Sequence, residues 1–527
     1  MIYHCEDHTC NYWDEGEKLP ERCPQCGRKL LRANEADMTG DDWTALGNTL
    51  WDAEASDKKR MVDCFRKAAY LGSAWGVCNL GICMEQGNGV EADPVQAFWL
   101  YQQAVEMGSL NAVCCLGVCY QYGIGTAPDA EKAAELYCKA AEYGSPHGQM
   151  LLARAFHDGI GVEADAAEAV HWVRAAAYQR YGEGMHRLGV CYAYGDGVEQ
   201  NWEHAVHWFR EAAESGVSVA MADLGYCYEK GCGVEQSWEQ AFSWYRRSAE
   251  CGNPVSMSNL GLCYQMGYGV EQNWQEAIKW YEQGAQCGNL QSMHNLACCY
   301  EHGEGVEQNM TEAIRWYTAA AEGGNADDMY ELGWQYDHGE GVEQDMKKAI
   351  CWYERAAEQN HPAAMNSLGE CYAMGRGVPR DLETAMEWYR RAAELGEAMA
   401  DYNMGWHLEQ AGKLSEAYAH YRKAADGNDD SAWWALGRFY ENGVVVAQDG
   451  KEARRCYETG EKLGSVKCKM RLARCKLLGI GGRREKKAGL DLCRQALELA
   501  KESSEKEDYG YEAEMNLLRR TIAENES

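Results

Sequence analysis

Residues 188–200 read LGVCYAYGDGVEQ, and close variants of this stretch recur along most of the chain. The dipeptide Leu-Gly, or its Leu-Ala variant, returns at a constant interval of 36 residues. Its leucine stands at Leu80, Leu116, Leu152, Leu188, Leu224, Leu260, Leu296, Leu332 and Leu368. Self-similarity at a fixed period of this size is the sequence signature of a repeat array. Extending the frame in both directions places repeat units over residues 41–502 of the 527-residue chain.

Each unit carries two apolar stripes with the spacing of a helical face. In the unit that begins at Glu183, the stripes consist of Met185, Leu188, Gly189 and Tyr192, and then of Ala205, Trp208, Phe209 and Ala212. Gly195 and Gly197 lie between the stripes, and glycine readily adopts the left-handed conformation that ends a helix. Because a single helix pair cannot bury its apolar face alone, neighbouring pairs are expected to stack into an all-α solenoid.

The repeated unit resembles a known family. It reads Leu-Gly-x-Cys-Tyr-x-x-Gly-x-Gly-Val-Glu-Gln, followed by Glu-Ala-x-x-Trp-Tyr-x-x-Ala-Ala-Glu-x-Gly. This pattern is similar to the Sel-one-like repeat, a relative of the tetratricopeptide repeat. The resemblance implies a right-handed α-solenoid of about thirteen helix-turn-helix repeats over residues 41–502. It also implies a non-enzymatic scaffold or adaptor that binds a protein or peptide along a concave groove. Residues 503–527 are predicted to form a C-terminal capping helix.

The candidate binding face follows from comparing the units with one another. The fourth and eighth places of the first helix vary widely, are four residues apart and therefore share one face. In the tetratricopeptide family the matching face lines the concave side. The predicted partner-binding residues on or beside these places are His186, Tyr226, His294, Tyr330, Glu331, Trp334, Glu370, Tyr402, Trp406, Trp434 and Arg438. Tyrosine, tryptophan and arginine are enriched in binding hot spots. The alternative is that the aromatic rings pack between adjacent first helices or fill the inside of a tight superhelix.

Composition limits the partners and the compartment. Acidic residues outnumber basic ones 82 to 51, which gives a formal net charge of -31. This charge disfavours nucleic acid over most of the surface, and acids such as Glu331 and Glu370 favour a basic ligand. The sequence contains neither an apolar run long enough to cross a membrane nor an export signal. With 25 cysteines and no export signal, the chain is predicted to be cytoplasmic.

The first cysteines have the spacing of a metal site. Cys5, Cys10, Cys23 and Cys26 include a Cys-Pro-x-Cys-Gly turn, which resembles a zinc ribbon and predicts a structural zinc ion within residues 1–40. His8 could replace Cys10 as a ligand, and a metal-free cysteine cluster or a rubredoxin-like iron site are the alternatives. The cysteines that recur at one place of the repeats, Cys83, Cys119, Cys191, Cys227, Cys263, Cys299 and Cys371, are predicted to fill gaps between helices.

Two further features leave alternatives open. Residues 467–487 contain nine basic residues and one acid, which fits an acidic or nucleic-acid partner, a contact with another copy of the chain, or a solvated end. Nucleophile-elbow, phosphate-loop and zinc-protease motifs are absent. Ser56 and Lys59 match Ser-x-x-Lys, and some secreted relatives have been linked to penicillin binding, so a β-lactamase-like or penicillin-binding hydrolase is one alternative function. A thiol-based redox sensor is another.

Overall fold

The computed structural model of the chain describes residues 2–5, 13–15, 30–33, 35–51, 55–506 and 512–526. Within those ranges it contains three short β-strands, one 3-10 turn at Glu35–Asp37 and twenty-seven α-helices. The chain divides into two compact units, Met1–Asn273 and Trp274–Ser527. The strands β1 (Ile2–Cys5), β2 (Trp13–Glu15) and β3 (Leu30–Ala33) form an antiparallel sheet in the order β2-β1-β3.

The first unit continues with thirteen helices. They are α1 (Gly40–Thr49), α2 (Ala55–Tyr70), α3 (Ala74–Gln86), α4 (Pro94–Glu106), α5 (Leu110–Tyr122), α6 (Ala130–Glu142), α7 (Pro146–Asp158), α8 (Ala166–Tyr178), α9 (Gly182–Tyr194), α10 (Trp202–Glu214), α11 (Ser218–Lys230), α12 (Trp238–Glu250) and α13 (Pro254–Met266). Odd-numbered helices are the first helices of the repeats, and even-numbered helices are the second.

The second unit follows the same alternation. Its helices are α14 (Trp274–Gln286), α15 (Leu290–His302), α16 (Met310–Glu322), α17 (Ala326–His338), α18 (Met346–Glu358), α19 (Pro362–Met374), α20 (Leu382–Glu394), α21 (Ala398–Gln410), α22 (Leu414–Asp426), α23 (Asp430–Asn442), α24 (Gly450–Lys462), α25 (Val466–Leu478), α26 (Lys486–Lys506) and α27 (Glu512–Glu526). The predicted repeating helix pairs are therefore confirmed. Helix α26 runs past residue 502, where the repeat array was expected to end.

Glycine ends the first helix of most repeats and shapes the loop after it. Gly195 closes α9 with φ of 76°, and its N–H donates to the carbonyl of Cys191. Gly197 has φ of 69°, and a Cβ at this position would collide with the carbonyl oxygen of Ala166. Both positions of the predicted loop therefore favour glycine. Gly195 adopts a left-handed conformation, and Gly197 adopts one and also lies too close to the Ala166 carbonyl for a side chain.

The glycine of the Leu-Gly dipeptide has a different role. In most of the repeats that keep it, an aromatic ring of the second helix lies directly on the glycine. A Cβ on Gly225 would come within 2.7 Å of the Tyr245 ring. The same pairing joins Gly81 to Tyr101, Gly117 to Tyr137, Gly189 to Phe209, Gly333 to Tyr353, Gly369 to Tyr389, Gly405 to Tyr421 and Gly437 to Tyr457. The recurrent glycine makes room for a buried ring.

In several repeats the hydroxyl of this ring donates to a polar side chain on the first helix of the same repeat. Tyr245 Oη donates to Glu229 Oε2 at 2.7 Å, and Tyr101 Oη donates to Glu85 Oε2 at 2.6 Å. A buried hydroxyl without a partner would be costly. The repeat therefore couples three of its places, namely the glycine, the ring and the polar residue that accepts its hydroxyl.

We expect Gly225→Ala to lower the free energy of unfolding by about 1–3 kcal/mol, because the added methyl overpacks the contact with Tyr245. The double variant Gly225→Ala/Tyr245→Val copies Ala153 and Val173, which occupy the same two places in α7 and α8. Its cost should be smaller than the sum of the two single costs, because the smaller side chain relieves the clash. Denaturant unfolding of the four proteins measures this, and strictly additive costs would contradict the pairing.

At the end of the second unit, helix α27 packs on α25 and α26. Met515 and Leu518 are buried there in a cluster with Met470, Leu477 and Cys493, and Ile522 packs against its edge. Tyr511, the first residue of the predicted apolar stripe, lies outside the described residues. None of the helices described in the structure is both long enough and apolar enough to cross a membrane.

Candidate functional site

The predicted partner-binding residues all lie on first helices of the repeats. His186 is in α9 and Tyr226 in α11, both in the first unit. The other nine are in the second unit: His294 in α15; Tyr330, Glu331 and Trp334 in α17; Glu370 in α19; Tyr402 and Trp406 in α21; and Trp434 and Arg438 in α23. These eleven residues therefore belong to two separate sets, one in each unit.

Two rings at the fourth place pack between helices. Tyr330 stacks on His361 with ring centroids 5.0 Å apart and lies 5.9 Å from Tyr353. Tyr402 lies 5.6 Å from Tyr421, and burial raises the pKa of Tyr402 to about 12. Both rings therefore contact the second helix of their own repeat, and Tyr330 also contacts the N-cap residue of the next first helix, α19.

Trp434, also at the fourth place, is covered by two cations. The guanidinium of Arg438 lies 4.6 Å from its ring centroid, and the ammonium of Lys467 lies 5.3 Å from it. Arg438 also donates to Glu409 Oε1 at 3.1 Å, which fixes the guanidinium over the indole. Arg438 and Trp434 thus form one fixed cation–π group.

The rings at the eighth place face solvent more than those at the fourth. Trp406 is 38% exposed and Tyr226 is 45% exposed. Trp334 is half-buried and stacks on His338 with centroids 4.4 Å apart. Exposed aromatic rings held on rigid helices are typical anchors of protein interfaces. Within the second unit, Trp334 and Trp406 are the stronger candidates for partner contact.

The predicted acids are already engaged with neighbouring side chains or partly buried. Glu370 Oε1 accepts hydrogen bonds from Asn366 at 3.3 Å and from Asn403 at 3.2 Å, and its Oε2 lies 3.7 Å from Arg376. Glu331 is half-buried, and burial raises its pKa. Both predicted acids are therefore less available to a basic ligand than the sequence suggests.

His294 belongs to a cluster that includes two residues not predicted as site residues. Its Nδ1 lies 2.7 Å from Oδ1 of Asp328, and its Nε2 lies 3.6 Å from Sγ of Cys298. Asp328 is fully buried, and its Oδ2 has no hydrogen-bond partner among the described residues. The sequence did contain a signal for Asp328. Its place in the repeat holds serine in the preceding unit and alanine in the following one, Ser292 and Ala364.

The ion pair between His294 and Asp328 predicts a pH-dependent stability. The hydrogen bond to Asp328 raises the pKa of His294 from 6.5 to about 10. A raised histidine pKa stabilises the fold fully below the unfolded pKa, and the contribution is lost as the pH rises through the folded pKa. The stability difference between the wild type and His294→Gln should therefore shrink between about pH 6.5 and 10. Urea unfolding across this range measures it, and a constant difference would contradict the ion pair.

Cys298 differs from the other cysteine of its pair. Burial raises the pKa of the neighbouring Cys299 to about 12. Cys298 is only half-buried, and its Sγ lies 3.6 Å from Nε2 of His294; a cation beside a sulfur promotes its reaction with an electrophile. We expect iodoacetamide to alkylate Cys298 faster than Cys299. His294→Gln should slow the alkylation of Cys298 and leave that of the exposed Cys351 unchanged. Peptide mass spectrometry measures these rates, and equal rates at Cys298 in both proteins would refute the effect of His294.

The basic stretch near the C-terminus is partly neutralised within the fold. Arg471 Nη1 lies 3.4 Å from Glu441 Oε2, and Arg474 forms a second ion pair with Oε1 of the same carboxylate. Lys469 lies 3.8 Å from Glu461. Lys469, Arg471 and Arg474 are thus each paired with an acid, which lowers the charge available to an acidic partner.

Three of the predicted zinc ligands, Cys10, Cys23 and Cys26, lie outside the described residues, as does the alternative ligand His8. Cys5 ends strand β1, and its side chain is likewise outside the described part. Across the side chains that the structure describes, no group of three or more His, Cys, Asp or Glu residues could hold a metal ion. Ser56 of the Ser-x-x-Lys match lies in α2, and its side chain is also outside the described part.

A family model for the Sel1 repeat matches twelve consecutive segments: 76–109, 112–145, 146–181, 182–217, 218–253, 254–289, 290–325, 326–361, 362–397, 398–429, 432–465 and 466–501. The chain belongs to the Sel1 repeat family. The twelve Sel1 repeats correspond to the helix pairs from α3/α4 to α25/α26. The pair α1/α2, the first of the thirteen described helix pairs and one of the about thirteen repeats predicted, lies outside the matched segments. Its unit is shorter, and it lacks the Gly-x-Gly loop between its helices.

Known structures share the Sel1 repeat architecture. The crystal structure of c5321, a protective antigen of uropathogenic Escherichia coli strains with an SLR fold, is 29% identical, with a TM-score of 0.58 over 81% of this chain and 94% of that one. A Sel1 repeat protein from Oxalobacter formigenes is 30% identical, with a TM-score of 0.42 over 46% of this chain and 96% of that one. No curated protein matches the chain. Sel1 repeats generally form non-catalytic scaffolds for protein interaction.

Proposed function

We propose that this Sel1 repeat protein is a non-enzymatic adaptor that binds a protein or peptide segment along a concave face lined by its first helices. The observation that carries the proposal is the solvent exposure of Trp406, which lies on a first helix and is 38% exposed. Trp334 holds the same place two repeats earlier. Fully buried rings, such as Tyr353 and Tyr421, already fill the interior of these repeats. Packing within the repeat therefore does not require the two tryptophans.

The bound segment is expected to combine an apolar anchor with basic side chains. The indole rings supply the apolar contact area. The net charge of -31 favours a basic segment through long-range attraction. Arg376 and Arg438 are both paired with acids of the same face, Glu370 and Glu409. These pairs reduce the local contribution of charge, so the aromatic contacts should dominate the affinity.

Affinity capture from a lysate of the source organism under reducing conditions tests this proposal. The wild type is compared with Trp334→Ala/Trp406→Ala and with the control Leu414→Ala. Leu414 is similarly exposed but lies on α22, the second helix of the repeat that contains Trp406. A partner retained by the wild type and the control, but lost from the folded double variant, is the expected result. Equal retention by all three proteins would refute the role of the two tryptophans.

We further propose that Cys5, Cys10, Cys23 and Cys26 hold one structural zinc ion. The antiparallel strands β1 and β3 support this, because Cys5 ends β1 and the Cys-Pro-x-Cys-Gly turn precedes β3 in the sequence. Four protein ligands leave no open position for catalysis. Metal analysis of the purified protein should give one zinc per chain, and Cys23→Ser/Cys26→Ser should give none. Zinc that is absent from the wild type, or retained by the variant, would contradict the site.

We also propose a reducing, cytoplasmic location. The twenty-one cysteines whose side chains are described are all free thiols, and fourteen of them are buried. Buried free cysteines act as small apolar side chains and persist where thiols are kept reduced. Burial raises the pKa of Cys227 to about 12 and that of Cys371 to about 11. This weakens the alternative of a redox sensor built on the recurrent cysteines.

A further inference from the structure

A cavity of about 300 Å³ lies between α7, α8 and α9 in the first unit. Its apolar lining includes Met150 and Ala153 from α7, Val170 and Val173 from α8, and Cys191 from α9. The cavity occupies a fixed place of the repeat, so the other repeats show what normally fills it.

In an ordinary repeat a tyrosine ring fills this place. The Tyr101 ring lies on Gly81, and its hydroxyl donates to Glu85 at 2.6 Å, both on the first helix of its own repeat. On its other side lie Cys115 and Cys119 of the next first helix, which contribute to its raised pKa together with burial, the main cause. The ring is thus enclosed by two consecutive first helices.

Two repeats after that of Tyr101, 72 residues along the sequence, the matching places hold different residues. Val173 replaces the tyrosine, Ala153 the glycine and His157 the acceptor of the hydroxyl, while Arg187 and Cys191 stand on the next first helix. All five line the cavity. The repeat therefore lacks the aromatic ring and keeps the space between two first helices that the ring fills elsewhere.

A network of polar side chains lines this space. Arg154 Nε lies 3.5 Å from Asp158, and His157 lies 2.7 Å from Asp158 through Nδ1 and 3.3 Å from Asp196 through Nε2. Arg187 lies 3.7 Å from Asp196 and is the last member of the network. All five side chains are partly exposed, so the network offers hydrogen-bond donors and acceptors that solvent and a ligand can reach.

We propose that this cavity binds an aryl ring that carries a hydroxyl group, as in the side chain of tyrosine. The apolar lining would hold the ring in the space that Tyr101 occupies in its own repeat. The network of polar side chains would bind the hydroxyl group of the ligand. Apolar protein cavities of about 150 Å³ bind benzene, so a single ring fits the space here. The ligand would be either a tyrosine of a bound protein segment or a free phenol.

Titration with p-cresol, the analogue of a tyrosine side chain, tests the site. In the wild type, p-cresol should bind and shift the methyl NMR signals of Met150, Val170 and Val173. Ala153→Gly/Val173→Phe copies the Gly189/Phe209 pair of the next repeat and fills the cavity. It should weaken p-cresol binding about tenfold or more and raise the melting temperature. Val219→Phe, which adds a ring at an exposed position of α11, should leave the affinity unchanged.

Equal affinity in the wild type and the filled variant would overturn the proposal, as would shifts in the wild type that lie away from α7, α8 and α9. The shifts need no variant, so the test stands even if the filled variant fails to fold. A capped Ala-Ala-Tyr-Ala-Ala peptide that binds more tightly than p-cresol identifies a protein segment as the source of the ring, and weaker binding identifies a free phenol. Trp334→Ala/Trp406→Ala should retain p-cresol binding, which separates this site from the proposed adaptor face.

Discussion

Replacing Tyr245 with alanine is expected to lower the free energy of unfolding by about 3–5 kcal/mol, the usual cost of deleting a large buried ring. The Tyr245 side chain is 1% exposed and lies on Gly225. Its removal also leaves Glu229 without the hydroxyl that it binds at 2.7 Å. Both losses fall in α11 and α12, so the repeat should be weakened at its centre.

Hydrogen exchange of the α11 and α12 amides measures this loss, because repeat arrays unfold locally as well as globally. Tyr143→Ala is the matched control, since Tyr143 is a tyrosine of the same array that is exposed to solvent. We expect the control to change stability by about 0.5 kcal/mol or less. Similar protection in the two variants would show that the ring on Gly225 does not stabilise the repeat.

Glu441→Ala is expected to have the second largest effect, about 3 kcal/mol, because it removes one partner of a largely buried ionic group. The Glu441 carboxylate is 11% exposed and pairs with Arg471 and Arg474. It also accepts a hydrogen bond from Tyr457 at 2.8 Å. Without it, two guanidinium groups of like charge and a buried hydroxyl lose a shared partner.

Thermal unfolding and hydrogen exchange of α23 to α26 measure this effect. Glu452→Ala is the control, because Glu452 is 44% exposed and lies 3.7 Å from a single exposed arginine, Arg455. Exposed pairs of this kind contribute little. If both variants lose the same small amount of stability, Glu441 does not hold the basic stretch together.

The sequence was sufficient for the repeat architecture because the repeat is built from local signals. The Leu-Gly dipeptide fixes the period, and loop glycines such as Gly195 mark the end of each first helix. The reason for the glycine was not predictable from a single helix. It emerges only when the ring of Tyr245, twenty residues later, is seen to lie on Gly225.

The candidate face was predicted less completely. The spacing of residues along one helix places Tyr402 and Trp406 on the same side. It does not reveal which neighbouring rings approach each of them. Tyr402 packs beside Tyr421, whereas Trp406 remains exposed. The fourth and eighth places thus differ in burial because of contacts with other helices, which no single-helix pattern contains.

Site-specific photo-crosslinking to the captured partner tests the central claim most directly. A photoreactive phenylalanine analogue would be placed at position 406 on the first helix α21 and, as a control, at position 414 on the second helix α22. Both positions are similarly exposed in the free protein. We predict a crosslink to the partner from position 406 and none from position 414. Crosslinking from position 414 alone would contradict binding on the first-helix face.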